Sequence, residues 1–141
     1  MRKLIVAAGF ALACGPASDV GTSPDLSSQP TELYGLKVGE SITVGDREVV
    51  VEFLGVPTDS RCASTVVCAW AGDAAAILRV SRAGTVLGQD TLHTLPGFPQ
   101  TVTHEAVHLQ LIELDPYPVE PLEKIEQQDY LLTLGVRRLG P

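Results

Sequence analysis

Short runs of alternating apolar and polar residues, separated by Gly, Pro and Asp, constrain the fold more than any other feature of this chain. In the run Glu48–Val56, the side chains of Val49, Val51 and Phe53 fall on one face. A period of two places successive side chains on opposite faces of a β-strand. Six further runs are predicted strands on the same grounds: Ser41–Val44, Ala74–Val80, Thr85–His93, Thr101–Thr103, Ala106–Leu114 and Tyr130–Val136.

About seven short strands joined by turn residues predict an all-β domain built as an antiparallel β-sandwich, for which an immunoglobulin-like arrangement is one option. A small β-barrel is the alternative. The segment Asp115–Pro121 contains three prolines and should end any regular element, and the polar stretch Leu122–Gln128 should form one or two helical turns. Residues 31–141 are long enough for one domain, so we expect a single β domain there.

The first thirteen residues have the composition of a signal peptide. Arg2 and Lys3 precede the apolar run Leu4–Ala13, which is too short to cross a bilayer as a permanent helix. The Ala-Leu-Ala before Cys14 resembles a bacterial lipobox, although it also satisfies the rule for ordinary signal peptidase. Both enzymes would cut the same bond. We favour lipidation of Cys14, because plain secretion would leave an unpaired cysteine on an exported chain.

Residues 14–30 are then predicted to be a lipidated cysteine and a flexible tether. Gly15–Pro30 is rich in Gly, Pro, Ser and Asp and has little apolar surface to bury. The residue after the cysteine, Gly15, is not acidic, so no retention-type residue is present. The expected location is a lipid-anchored position in the bacterial cell envelope, on the outer membrane if the host is Gram-negative.

The net charge of the chain limits the classes of partner that we expect it to bind. The formal net charge is −7, and it becomes −9 when Arg2 and Lys3 leave with the signal peptide. Such a surface argues against nucleic acid and against peripheral binding to anionic lipid. The expected partners are the membrane, through the N-terminal lipid, and an unknown protein or small ligand. We expect no cofactor.

The stretch Asp59–Gly72 holds the only Trp and two of the three Cys. Cys62 and Cys68 lack the second pair of ligands that a zinc site with closely spaced cysteines requires. In an oxidising compartment they are predicted to form a disulfide, whose short loop would stabilise the fold by about 2–3 kcal/mol. The loop could be a structural staple, or a display for binding through Ala63, Ser64, Thr65, Val66 and Val67. A redox-active pair is disfavoured because that chemistry usually uses C-x-x-C.

Four other residues of this stretch are expected to have structural roles: Asp59, Arg61, Trp70 and Gly72. Arg61 should be held by a charge-assisted bond to Asp59 or to Asp73. Trp70 should lie over the disulfide or cap the edge of the core, with a partner for its indole N–H. Gly72 closes the stretch.

These residues resemble a known sequence signature. Asp-Ser-Arg-Cys at 59–62 and Cys-Ala-Trp-Ala-Gly at 68–72 are similar to D-S-R-C-P-x4-C-x-W-x-G, found in a group of small uncharacterised secreted bacterial proteins, many with lipoprotein signals. The similarity covers about residues 35–137, and the chain departs from the signature at Ala63, where the group usually has Pro. The resemblance implies a compact exported domain. It implies no activity, because none is established for the group.

One motif suggests catalysis. His104, Glu105 and His108 match H-E-x-x-H, which on a helix binds zinc through two histidines and activates water through the glutamate. Four downstream carboxylates could supply a third ligand: Glu113, Glu120, Glu123 and Glu126.

The residues around this motif favour a strand instead. Alternation over residues 106–114 predicts that Val107, Leu109 and Leu111 face the core. If His104 and His108 lie on one strand, they share a face but stand ~13 Å apart, too far to bind one ion. We therefore expect no catalytic metal site.

Three functions remain open. The leading hypothesis is a membrane-tethered exported β-sandwich with a binding or envelope-structural role and no enzymatic activity. The second is a hydrolase-inhibitor-like protein that presents the Cys62–Cys68 loop, and the third is a small zinc metallohydrolase. Ser60 and His93 could be assembled into a triad with an aspartate, but no G-x-S-x-G turn surrounds the serine. The run Glu120, Glu123, Glu126 and Asp129 is expected to be a solvated acidic face.

Overall fold

The computed structural model describes residues 31–45 and 48–139. The predicted signal peptide, Cys14 and the tether up to residue 30 lie outside the described residues. The described residues form eight strands: β1 Glu32–Lys37, β2 Ser41–Val44, β3 Val49–Asp59, β4 Ala74–Arg82, β5 Thr85–His93, β6 Thr101–His104, β7 Val107–Asp115 and β8 Leu131–Arg138.

Seven of these strands match the seven predicted runs, and β1 was missed. Its sequence, Glu-Leu-Tyr-Gly-Leu-Lys, is short and gives only a weak alternation. In place of the helical turns predicted over Leu122–Gln128, the chain forms a 3-10 helix at Gln127–Asp129. No helix in the described part of the chain is long and apolar enough to cross a membrane.

The strands form two antiparallel four-stranded sheets that pack face to face, in the orders β1-β8-β7-β6 and β2-β3-β4-β5. The predicted β-sandwich is therefore confirmed, and the closed barrel is not formed. The order differs from that of an immunoglobulin domain, whose sheets are built by Greek-key connections. Here consecutive strands are paired within β2 to β5 and within β6 to β8, the chain passes from one sheet to the other after β1 and after β5, and β1 pairs with the last strand, β8.

The core lies between the two sheets and is almost wholly aliphatic. Its most buried large side chains are Val49, Val51, Phe53, Leu78, Val80, Leu92, Leu109, Leu132 and Leu134. The predicted inward face of β7 is confirmed, since Val107, Leu109 and Leu111 are all buried. A β-bulge between Leu111 and Glu113 then shifts the register. After the bulge Leu114 is buried, while Ile112 is 45 % exposed.

The outer part of β3 extends beyond its short neighbour β2, and a side chain covers part of the exposed edge. The Gln127 amide accepts a hydrogen bond from the Val56 N–H (2.9 Å) and donates one to the Val56 carbonyl (2.7 Å). A side-chain amide thus replaces the backbone of a missing strand and satisfies both polar groups. Gly55 is required beside it, since a Cβ there would lie 2.6 Å from the Gln127 oxygen.

The antiparallel order separates the molecule into two ends. The disulfide end consists of the loops 60–73, 94–100 and 116–130. The tether end consists of the start of β1 and the turns at 83–84 and 105–106, because Glu32 pairs with Val136 near the end of β8. Strands of about eight residues place the two ends roughly 25 Å apart.

Leu109→Ala should lower the free energy of unfolding by about 2–5 kcal/mol, because the residue is fully buried and the cavity cannot be refilled. Ile112→Ala is the matched control on the same strand, and it should cost less than about 1 kcal/mol because its side chain is half exposed. Urea unfolding of the purified variants measures both values. Equal losses would contradict this assignment of the core face.

Candidate functional site

A buried arginine joins two segments of the chain at the disulfide end. Arg61 Nε and Nη2 donate to the two carboxylate oxygens of Asp59 at 2.9 and 2.6 Å. Its guanidinium also donates to the carbonyls of Leu114 (2.6 Å) and Pro116 (2.8 Å). The guanidinium lies 5.1 Å from the ring centre of Tyr117. Of the two predicted partners, Asp59 therefore holds Arg61, and the pair connects the end of β3 to the end of β7.

The Asp59 carboxylate is saturated by these contacts. It also accepts a hydrogen bond from the Arg61 backbone N–H (3.1 Å) and another from the Tyr130 hydroxyl (3.0 Å). Burial by itself would raise the pKa of Asp59, but the hydrogen bonds and charge of Arg61 outweigh it and lower that pKa. Burial and the bond to Asp59 raise the pKa of Tyr130 to about 12. Asp59 is thus a fixed anion with no lone pair left for a substrate proton.

The predicted Cys62–Cys68 disulfide is confirmed, with a Cα–Cα distance of 6.0 Å. In the predicted binding loop, Ala63 is buried, whereas the next four residues, 64–67, are exposed. The loop is fixed along the segment after β7. Ser64 N–H donates to the Pro118 carbonyl at 3.0 Å, and the Thr65 hydroxyl donates to the Val119 carbonyl at 2.6 Å.

Gly72 allows the other side of the loop to close. Its φ is +71°, and a Cβ at this position would lie 1.8 Å from the Ser60 carbonyl oxygen. No side chain fits so close to a backbone atom. Ser60 N–H bonds the Asp73 carbonyl at 2.7 Å and Cys62 N–H bonds the Ala71 carbonyl at 2.8 Å, so the two sides of the loop stay paired beyond the sheet.

Trp70 is 80 % exposed, so the expectation that it caps the edge of the core is wrong. The core is already closed at this end by Arg61 and Tyr130, which are both buried. The loop therefore carries the indole outward, where it lines a cleft together with Cys62 and Cys68.

This cleft, the Trp70 cleft, lies between the disulfide loop and residues 118–123 and has a volume of about 400 Å³. Its floor is the paired Asp59 and Arg61. Its walls are apolar: Val66, Trp70 and the disulfide on one side, and Pro118, Pro121 and Leu122 on the other. Leu122 is fully exposed to solvent, as is Val67, which lies in the chain between the lining residues Val66 and Cys68.

Carboxylates surround this apolar opening. Glu120 and Glu123 line the cleft, and Glu126 and Asp129 are exposed in the same loop, as expected of a solvated acidic face. Glu123 Oε2 accepts hydrogen bonds from the backbone N–H groups of Val119 (2.7 Å) and Glu120 (3.1 Å). These two bonds lower the pKa of Glu123. Across the three loops of the disulfide end, Lys124 is the single basic residue besides Arg61.

The H-E-x-x-H residues lie on a β-hairpin and not on a helix. The turn between β6 and β7 falls at Glu105, whose φ is +50°. His104 pairs with the core-facing Val107, whereas His108 pairs with Thr103. Adjacent cross-strand pairs point to opposite faces, so the two imidazoles lie on opposite faces of the sheet. The expectation that they share a face of one strand was wrong, because the turn comes between them.

Each residue of the motif has a partner of its own. His104 bonds Asp90 across the gap between the two sheets, and Glu105 pairs with Arg82. His108 Nδ1 lies 2.9 Å from the Thr103 hydroxyl. Within residues 31–45 and 48–139, no three His, Cys, Asp or Glu side chains are grouped so that they could hold a metal ion.

A second aspartate organises the loop after β5. Asp73 Oδ2 lies 2.6 Å from His93 Nδ1, and Asp73 Oδ1 accepts the backbone N–H groups of Thr94 and Leu95. Burial would raise the pKa of Asp73, but the bonds from His93 and Leu95 outweigh it and lower that pKa. The Ser60 hydroxyl donates to the Asp73 backbone carbonyl at 3.0 Å. These contacts fix two loops, and Ser60 is not bonded to His93 as a triad requires.

Comparison with known proteins leaves the site to be interpreted from its geometry. No family model, curated protein or solved structure matches the chain. The sequence predicted Asp59 as one of two candidate partners of Arg61. It did not predict the bonds of Arg61 to Leu114 and Pro116 or the exposed position of Trp70, since these depend on segments distant in the chain.

Arg61→Met should lower the free energy of unfolding by about 3–5 kcal/mol, because it leaves the Asp59 carboxylate buried without its cation. Arg79→Met is the matched control, since Arg79 also pairs with a carboxylate, Glu52, but its side chain is 43 % exposed. The control should lose less than about 1 kcal/mol. Urea unfolding compares the two, and a similar loss in both variants would contradict the structural role of Arg61.

Stability should fall in acid, and Asp59 should contribute to the fall. A carboxyl whose pKa is lowered on folding stabilises the protein fully above its unfolded-state pKa, about 3.9. That contribution is lost as the pH falls through the folded-state pKa. Urea unfolding between about pH 6 and pH 3 should therefore give a shallower pH dependence for Asp59→Asn than for the wild type. Identical slopes would show that Asp59 is not held ionised by its partners.

Proposed function

We propose that this protein is an exported, non-catalytic binding module, anchored to the cell envelope by lipid on Cys14, and that its disulfide end holds a protein partner. The signal-like residues 1–13 and the tether-like residues 14–30 support export and anchoring. A disulfide suits an oxidising compartment. The resemblance to secreted bacterial lipoproteins agrees with this location, on the outer membrane if the host is Gram-negative.

The observation that carries the proposal is the set of exposed apolar side chains around one cleft. Trp70 and Leu122 line the cleft and are at least 80 % exposed. Val67, which lies in the chain between the lining residues Val66 and Cys68, is also fully exposed, although such side chains are normally buried or shielded. Contiguous exposed apolar surface with a polar rim is typical of a protein-binding site. Tryptophan is among the residues that contribute most energy at such sites.

Both walls of the cleft are fixed before a partner arrives. The disulfide and the bonds from residues 64 and 65 to the carbonyls of Pro118 and Val119 hold one wall against the other. Arg61 holds both walls to the strand ends. A pre-organised surface loses little conformational entropy on binding. The charged groups of the floor, Asp59 and Arg61, satisfy one another's hydrogen bonds. Such a pair can support a binding surface, but it offers no free group for proton transfer.

The position of the tether favours a partner away from the anchoring membrane. The chain enters β1 at the tether end, roughly 25 Å from the cleft. The predicted tether, sixteen residues between Cys14 and residue 31, would add a reach of roughly 20–25 Å. The cleft would therefore be presented outward from the point of attachment.

The inhibitor-like function is the second candidate, because residues 64–67 are exposed within a stapled loop, as an inhibitory loop must be. The two candidates differ in the surface that they use. Inhibition would depend on the loop alone, so Val67→Asp would abolish it and Leu122→Ser would not. A binding module that uses both walls of the cleft would be weakened by either change.

Site-directed photo-crosslinking tests the proposed function. The tethered protein is expressed in its host with a photoreactive phenylalanine analogue in place of Val67, or in place of Val86 as a control. Val86 is 58 % exposed on β5, near the tether end. A discrete adduct is expected at position 67 and not at 86, and Trp70→Ser with Leu122→Ser should remove it because both walls are then polar.

The absence of an adduct at position 67 would contradict the proposal. So would an adduct that forms equally at position 86, or one that survives the double substitution, because neither would depend on the Trp70 cleft. The purified double variant should unfold at the same urea concentration as the wild type, since both side chains are exposed.

A further inference from the structure

We propose that the Trp70 cleft binds a polypeptide segment in which an apolar side chain lies next to a lysine or arginine. This inference rests on the proposed function for the location of the site and adds the chemistry of the partner. It is carried by the combination of an apolar cleft, an exposed indole and two lining carboxylates, Glu120 and Glu123, of which Glu123 is held by hydrogen bonds.

The cleft itself suits an apolar side chain. Val66, Pro118, Pro121 and Leu122 surround an opening of about 400 Å³, which is large enough for one side chain and part of its backbone. The floor does not compete for polar groups, because the two oxygens of Asp59 already accept four hydrogen bonds. A leucine or phenylalanine entering from solvent would therefore displace water without leaving a buried polar atom unpaired.

The rim of the same cleft suits a cation. The indole of Trp70 is 80 % exposed, and tryptophan offers the most favourable aromatic face for a lysine or arginine side chain. Glu123 is fixed by two backbone N–H donors, and both bonds use Oε2, which leaves Oε1 for a ligand. Glu120 lines the same cleft. An arginine or lysine could thus contact an aromatic face and a carboxylate that is already oriented.

The negative charge around the cleft disfavours acidic and anionic ligands. The loop 116–130 carries Glu120, Glu123, Glu126 and Asp129 against one lysine, Lys124. The net charge of the chain is also negative. This field attracts a basic segment and repels an acidic peptide, an anionic lipid headgroup or a nucleic acid. A basic and apolar segment of another protein is therefore the occupant that fits.

Trp70 provides a direct measurement, because it is the only tryptophan in the chain and its emission reports on the cleft alone. The purified protein is titrated with three pentapeptide amides: Lys-Leu-Lys-Leu-Lys, Glu-Leu-Glu-Leu-Glu and Lys-Ser-Lys-Ser-Lys. The first should shift the emission and bind at least about tenfold more tightly than the other two, because only it satisfies both the apolar walls and the rim. Raising the salt from about 20 to about 300 mM should weaken its binding.

Substitutions at the rim separate a defined site from general attraction to an acidic protein. Glu120→Gln with Glu123→Gln should reduce the affinity for Lys-Leu-Lys-Leu-Lys by about tenfold, since two carboxylates are lost beside the indole. The glutamine at 123 can still accept the two backbone N–H bonds, so the turn should persist. Glu126→Gln with Asp129→Asn is the matched control, because it removes the same charge from the same loop at residues that do not line the cleft; it should reduce the affinity much less than the rim substitutions do.

Equal affinities for the basic and acidic peptides would overturn this inference, as would equal effects of the rim and control substitutions. In either case an adduct at position 67 would leave the proposed function standing with a partner of different chemistry. If no peptide changes the emission and no adduct forms at position 67, both the inference and the proposed function are wrong.

Discussion

The ion pair between Arg61 and Asp59 is the interaction on which the disulfide end depends. Its guanidinium reaches the carbonyls of Leu114 and Pro116, more than fifty positions away in the chain, and so ties the loop after β3 to the loop after β7. A buried charge is costly unless it is paired and hydrogen-bonded. Here the carboxylate accepts four bonds and the arginine donates to three different residues, so the cost is offset by a complete network.

The completeness of that network decides what the cleft above it can recognise. Because the two charges satisfy one another, the floor offers neither a free base nor an open cation to a ligand. Recognition is left to the apolar walls and to the carboxylates of Glu120 and Glu123. The same network keeps Pro118 and the disulfide loop in fixed positions, so the exposed Trp70 is presented from a rigid support and not from a loose loop.

The strand order makes the two ends of the domain different from each other. Because β1 pairs antiparallel with β8, the chain enters the domain and leaves it at the same end. The three longer loops then gather at the other end, where their lengths are not limited by strand pairing. If the domain is attached through its N-terminus, as proposed, these loops would face away from the point of attachment.

The sequence by itself determined seven of the eight described strands, the core face of β7 and the disulfide. These features are local: a period of two fixes which side chains share a face, and six positions of separation bring two cysteines within reach. Only the tertiary structure decided that Trp70 is exposed and that His104 and His108 lie on opposite faces. The first depends on Arg61 and Tyr130 closing the core, and the second on a turn at Glu105. The contacts of Arg61 and Tyr130 join distant segments and carry no period, and the turn at Glu105 lacks the Gly, Asn or Asp that usually marks a hairpin, so no pattern in the sequence revealed either.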